Sequence, residues 1–276
     1  MRAVRFTSDG LEPRLGRLED DHIVDAGPAG FRGFDASDAA WESVANAAGS
    51  HHAPEKVKLL HPCEPQKIVA VGLNYQSHVT ETNLQRPEVP FAFAIWPNAL
   101  IGHEEDIVIP REETRPDWEG EVALIIGRRT YRADRAAARA AIGGITAIND
   151  VSGRRAQLET PMKQFTLGKS FDTFAPMGPC VVHPDALDLV RIAVRTTLDG
   201  EVVQQSDTSN LIFGFEELIE YFSRGMTFVP GDVIATGTPG GVGDERKPPR
   251  YLRDGEVVEV DVEGVGTLRN RVRMEE

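Results

Sequence analysis

A mainly β fold with peripheral helices, an α+β architecture, is predicted for this 276-residue chain by three features of its sequence. Short runs rich in Val, Ile and Leu recur along its length, helical periodicity is confined to a few segments, and strands do not alternate with long helices as a doubly wound fold requires. A chain of this size can bury most of its apolar surface without covalent staples, as one large domain plus a small one.

In chain order, strand-like segments at 1–7 and 22–26 and a helix-like stretch at 38–48 make a small N-terminal domain, residues 1–62, in which no chemical motif occurs. Pro62 and Pro65 punctuate the chain ahead of the apolar run 67–71 and place a boundary near residue 62, with 63–276 as the second domain. Strands are then predicted at 68–71, 91–95, 107–109, 121–126, 144–148, 190–198, 233–236 and 256–262. Helices are predicted at 133–141 and 215–222, the first of them Ala- and Arg-rich and exposed on one face. No internal repeat or low-complexity tract interrupts this order.

Composition narrows the function. The formal net charge of −13 disfavours nonspecific nucleic-acid binding, so the expected partner is a small molecule. Apolar stretches such as 122–126 fall far short of the roughly 20 residues a membrane span needs, and 2–11 lacks a signal-peptide apolar region, so a cytoplasmic protein is expected. Cys63 and Cys180 are too few for a disulfide framework and are read as ordinary thiols.

Glu119 and Glu121 stand two residues apart at the start of a strand-like run and share one face, because strand side chains alternate with period two. With Asp150, which follows another strand-like run, they offer an all-oxygen set suited to a hard cation, Mg2+ or Mn2+. The plain alternative is a solvated strand edge with Asp150 capping a turn. Downstream of the strand at 68–71, His78 and Glu81 fall at i, i+3 on a short helix, where a carboxylate can orient an imidazole base; a surface His beside an acid is the other reading. A strand at 233–236 leads into the glycine-rich Thr236-Gly237-Thr238-Pro239-Gly240-Gly241-Val242-Gly243, whose backbone N–H groups can hold a carboxylate, or which is simply a flexible turn; it lacks the pattern of a nucleotide phosphate loop. Lys169, Arg154 and Gln157 carry no signal alone, and the other six histidines show no metal-ligand spacing.

Taken in order, these pieces resemble the fumarylacetoacetate hydrolase family across residues 66–274. The resemblance rests on Gly72-Leu73-Asn74-Tyr75 with His78 and Glu81, then Glu119-Gly120-Glu121, Asn149-Asp150-Val151-Ser152, Gly168-Lys169-Ser170-Phe171-Asp172, Pro230-Gly231-Asp232 and Thr236-Gly237-Thr238-Pro239. It implies a β-rich catalytic domain, a homodimer, and one Mg2+ held by Glu119, Glu121 and Asp150. It also implies His78 and Glu81 as the water-activating dyad, Lys169 as a third catalytic group, and Tyr75, Arg154, Gln157 and Thr238 around a small 2-oxo acid substrate. Two departures stand out: Ile95 where the family often has lysine, and Arg155 where it often has aspartate. They predict a cation missing from the cleft, an apolar wall in its place, and partial replacement of the lost charge by Arg155. The expected activity is Mg2+-dependent C–C hydrolysis of an acylpyruvate-like 2,4-dioxo acid, with Lys169 stabilising the oxyanion. Decarboxylation, tautomerisation or dehydration of a 2-oxo acid at the same metal is the second expectation, and a catalytically weak binding protein the third.

Overall fold

Residues 1–8, 10, 12–82 and 85–276 are described by the computed structural model, with the Thr82 side chain left aside. The centre of the molecule is decided by the strand Gly120–Ile126, every residue of which is buried. Val122, Leu124 and Ile126 enter one hydrophobic cluster and Ala123 and Ile125 the other, so the strand is covered on both faces. A strand in that position reads as a continuous apolar run rather than an alternating one, as 122–126 does.

Two antiparallel neighbours flank it, Ile142–Asn149 and Val233–Ala235. Beyond Val233–Ala235 lie Ile68–Gly72, parallel to it, and Phe91–Ile95 at the sheet edge. On the other side Ile142–Asn149 pairs with Ala175–Val182, which pairs with Arg2–Thr7. The sheet continues through Arg14–Leu18 and Ile23–Pro28 to His51–His52, so one hydrogen-bonded sheet passes through both sides of position 62. A five-stranded sheet, in the order Glu201–Asp207, Ala193–Leu198, Val257–Val262, Gly266–Met274, Ile107–Ile109, packs against it. Val194, Val260 and Leu268 from that sheet meet Val122 and Leu124 in one cluster.

The helix Phe215–Ser223 buries Phe215, Leu218, Ile219 and Phe222, the i, i+3, i+4, i+7 stripe of an amphipathic helix. It lies beside Arg135–Ala141, which starts at Asp134, whose side chain accepts from Ala137 N at 2.8 Å. Among the described residues, no helix is long and apolar enough to cross a membrane.

The expected mainly β class holds, and the strands predicted at 91–95 and 107–109 form over those residues. The strand predicted from 190 begins at Ala193, because Arg191 N donates to Asp188 O at 2.9 Å and closes a turn first. Among the described strands of five residues or more, four were not expected: Arg14–Leu18, Ala175–Val182, Glu201–Asp207 and Gly266–Met274. Ala175–Val182 contains Gly178 and Pro179, residues that weaken a strand reading, and the inward face of Gly266–Met274 is broken by the buried Asn270.

Candidate active site

Strand direction brings the site together. Because Gly120–Ile126 and Ile142–Asn149 are antiparallel with Gly120 opposite Asn149, the start of one meets the end of the other, and Asp150 N donates to Glu119 O at 2.9 Å. Val233–Ala235 is also antiparallel to the central strand, so the following residues run back to the same end. There Gly237 N donates to Glu121 Oε2 at 2.7 Å and Thr238 Oγ1 to Gly120 O at 3.1 Å. Ile68–Gly72 ends here too, and Asn74 Nδ2 donates to Thr236 O at 2.8 Å and to Phe213 O at 3.1 Å. Gly237, at φ +103°, could carry no side chain, since a Cβ would lie 2.8 Å from Asn74 Cβ. Four strand ends thus converge on one patch.

On that patch Glu119, Glu121 and Asp150 are all buried, each offering a carboxylate oxygen within 4.8 Å of the others. Lys169 Nζ lies 2.7 Å from Glu119 Oε2, 2.8 Å from Asp150 Oδ2 and 3.2 Å from Asp150 O. Arg154 donates from Nη2 to Glu119 Oε1 at 2.6 Å, from Nε and Nη2 to Asp117 Oδ2 at 2.9 and 2.8 Å, and from Nη1 to Gln157 Oε1 at 3.0 Å. Burial disfavours ionisation of Glu119, but Lys169 and Arg154 outweigh it and hold the carboxyl at about 2. Burial, Asp150 and Glu119 together push Glu121 far above the usual carboxylate range. Asp150 is raised by burial to about 6, with Lys169 opposing and Glu119 reinforcing.

These residues suit a divalent cation. Fully ionised, the four buried carboxylates Asp117, Glu119, Glu121 and Asp150 exceed the two buried cations, Arg154 and Lys169, by two negative charges, which a divalent cation would offset. Asp150 Oδ1 is buried and accepts no hydrogen bond within the described structure. Buried acceptors are ordinarily satisfied, and an all-carboxylate oxygen set matches Mg2+ or Mn2+ rather than a softer metal.

Beside the patch opens a cavity of about 170 Å3 lined by Glu119, Arg154, Gln157, Lys169, Thr238 and His78, among others. His78 Nδ1 lies 3.4 Å from Glu81 Oε2, and both Glu81 oxygens accept from Gly241 N at 3.0 Å. Burial raises the Glu81 carboxyl, but the His78 contact and the Gly241 N–H bring it below its ordinary value. The structure therefore assembles most of the residues singled out in the sequence. Tyr75 is set apart: it is fully buried, does not line the cavity, and its hydroxyl lacks a hydrogen-bond partner within the described residues.

The two departures require correction. Ile95 belongs to the hydrophobic core and does not line the cavity, so it neither leaves a hole in the cleft nor builds its wall. Phe91 and Phe93, earlier on the same strand, supply the apolar wall instead. The Arg155 guanidinium turns outward, donating to Glu112 O and lying 3.5 Å from Glu159 Oε1, and does not replace a charge at the acidic patch.

Three features went unread in the sequence. Asp117 is fully buried and accepts from Gly243 N at 2.6 Å and Asp244 N at 3.0 Å as well as from Arg154, tying the glycine-rich loop to the floor. Its place two residues before Glu119, in phase with Glu119 and Glu121, was the available signal. Gln204 accepts from Gly120 N at 3.0 Å and donates to Thr238 Oγ1 at 2.7 Å, from a strand distant in sequence. The aromatic wall depends on Phe165 meeting Phe91 and Phe93 across the fold.

The family model described as fumarylacetoacetate (FAA) hydrolase C-terminal matches residues 67–273. The chain is 36% identical over 287 aligned residues to the mitochondrial oxaloacetate tautomerase of Xenopus laevis, covering 99% of this chain and 90% of that one. It is similar to the structure of 5-carboxymethyl-2-hydroxymuconate delta-isomerase from Mycobacterium smegmatis, with a TM-score of 0.83, 34% identity and all of both chains covered. A fumarylacetoacetate hydrolase from Exiguobacterium antarcticum gives a TM-score of 0.87 at 34% identity, again over both whole chains.

Proposed function

Since the chain belongs to the fumarylacetoacetate hydrolase family, whose members include tautomerases, isomerases and hydrolases, we propose that it interconverts the keto and enol forms of a small 2-oxo acid, using a divalent cation, Mg2+ or Mn2+, held by Glu119, Glu121 and Asp150. The observation that carries this reading is one cavity with two different walls. His78 lines it together with Glu119, so a base faces the place where the head of a 2-oxo acid would bind. When bound, the cation supplies Lewis acidity toward the 2-oxo and carboxylate oxygens and so lowers the pKa of the adjacent C–H.

The chain's own part is proton transfer and positioning. Glu81, fixed by Gly241 N, faces His78 Nδ1 and sets the imidazole so that Nε2 is the atom that takes the proton from C3. The same proton returned to the 2-oxo oxygen completes the tautomerisation, with no water consumed and nothing oxidised. Thr238 and Gln157 border the head-group region, and Asp117 fixes the Arg154 plane from below.

C–C hydrolysis of a 2,4-dioxo acid is the second reading, because the His78 and Glu81 pair is equally suited to activating water. It asks in addition for a donor at the distal carbonyl. Lys169, expected in that role, already donates to Glu119 Oε2 and Asp150 O at 2.7 and 3.2 Å and lies 2.8 Å from Asp150 Oδ2 as an ion pair, which weighs toward proton transfer. The deciding assay follows enol-to-keto conversion of oxaloacetate and acetylpyruvate, and release of pyruvate, with Mg2+ and with chelator. Mg2+-dependent tautomerisation without cleavage supports the proposal. Stoichiometric release of pyruvate and acetate from acetylpyruvate would make hydrolysis the function, and no turnover of any 2-oxo acid would sink both.

A further inference from the structure

We infer that the 2-oxo acid this chain selects carries an apolar, preferably aromatic, group beyond its head, and that Phe91, Phe93 and Phe165 form the subsite that receives it. The inference rests on the function proposed above and adds what that function leaves open, the chemistry of the substrate's far end.

A substrate with a second carboxylate needs a cation or several N–H donors at that end, because a desolvated carboxylate without a partner is strongly disfavoured. Within the described cavity lining the cationic side chains are Arg154 and Lys169, and both are engaged by Asp117, Glu119 and Asp150. The lining instead adds Asp244 and Glu245, whose charge opposes an incoming dianion. Three phenyl rings line the same cavity beside the floor. Phe91 and Phe165 meet edge to face at 5.4 Å between centroids and 77° between planes, and Phe93 and Phe165 stack at 5.7 Å and 29°. Both geometries are favourable for aromatic pairs and leave ring surface for a further one.

The aromatic group also begins where the charged floor stops. Lys169 Nζ, which touches Glu119 and Asp150, lies 5.4 Å from the Phe93 centroid. A group joined directly to a 2-oxo acid head bound at the floor can therefore reach the Phe93 ring. Phe91 is 42% exposed, and a ligand that covers it removes that surface from water.

The test is isothermal titration of the Mg2+-loaded protein with phenylpyruvate and with oxaloacetate, beside turnover of each. Phenylpyruvate is expected to bind at least about tenfold tighter, the scale on which an apolar pocket separates ligands. Phe93→Ala is expected to erase most of that ratio by weakening phenylpyruvate, and Phe93→Leu to keep part of it if the alanine variant fails to fold. Glu245→Lys is expected to narrow the ratio from the other side by strengthening oxaloacetate. Tighter binding of oxaloacetate by the unaltered protein overturns the inference even if tautomerisation is observed, and so does a ratio that neither Phe93 substitution changes. Tighter binding of phenylpyruvate without turnover of either acid upholds the subsite and removes the tautomerase reading instead.

Discussion

The floor and the wall of the cavity are built by opposite rules. On the floor Glu119, Glu121, Asp150, Lys169, Arg154 and Asp117 are all buried and come from three stretches of chain; Glu121 is held by Gly237 N, and the others are tied to one another by charged contacts of 2.6 to 3.2 Å. On the wall His78 and Glu81 sit on one short helix, Gln76–Thr82, with their mutual contact at 3.4 Å, and the three phenyl rings meet one another through van der Waals contact. A buried charge needs its partner, so the floor tolerates no single deletion, whereas an apolar wall can lose one ring and still hold water out. The floor is therefore the general part of the machinery and the wall the part that chooses.

The floor is where a substitution should cost most. Glu119→Ala removes a proposed metal ligand and also leaves Lys169 and Arg154 each short of a counter-charge. Several kcal/mol of charge stabilisation is at stake, so kcat/KM should fall by about 10³- to 10⁴-fold. Kinetics with saturating Mg2+ check this, and retention of nearly full activity would remove the metal from the reading.

On the wall, His78→Ala should lower kcat by about 10²- to 10⁴-fold, the usual contribution of a positioned base. It should leave Mg2+ binding intact, because His78 is proposed to act on the substrate and not on the metal. Calorimetric titration with Mg2+ separates the two: a His78 variant that loses metal affinity as well would erase the division between floor and wall.

The same division predicts a stability effect that needs no substrate. A cation that binds the folded floor at about 100 times its Kd stabilises by about 2.7 kcal/mol, which for a chain of this size raises Tm by about 5 °C or more. Chelator should reverse the rise. Glu121→Gln should abolish it, while Phe93→Leu should keep it; melting curves of both variants with and without Mg2+ read the difference.

Which of the two regions the sequence revealed follows from how each is encoded. Glu119 and Glu121 declare themselves by a period-two spacing beside an uninterrupted apolar run, and the strand end at Asn149 places Asp150 beside them once the antiparallel pairing is drawn. His78 and Glu81 are local, three residues apart on one helix. Residues that act through long-range contact leave no such trace. Gln204 reaches Gly120 from 84 positions away, and Phe165 meets Phe93 across 72 positions. Ala175–Val182, which joins the N-terminal strands to the rest of the large sheet, hides behind Gly178 and Pro179. Ile95 shows the converse: a family position was identified in the sequence, but only packing reveals that its side chain serves the core.

Arg155 gives the smallest expected effect and the sharpest edge to the comparison. It follows Arg154 directly, yet successive residues at the start of the helix Arg154–Leu158 point to different sides. Arg154 turns inward and is 7% exposed, while Arg155 lies on the outer surface against Glu112 and Glu159. An exposed i, i+4 ion pair contributes at most a few tenths of a kcal/mol. Arg155→Ala should therefore change kcat/KM by no more than about twofold and Tm by about 1 °C, whereas Arg154→Ala should cripple the enzyme. Side-by-side kinetics of the two variants measure where the floor ends, and a large loss at Arg155 would mean that the acidic patch feels charges beyond the residues that touch it.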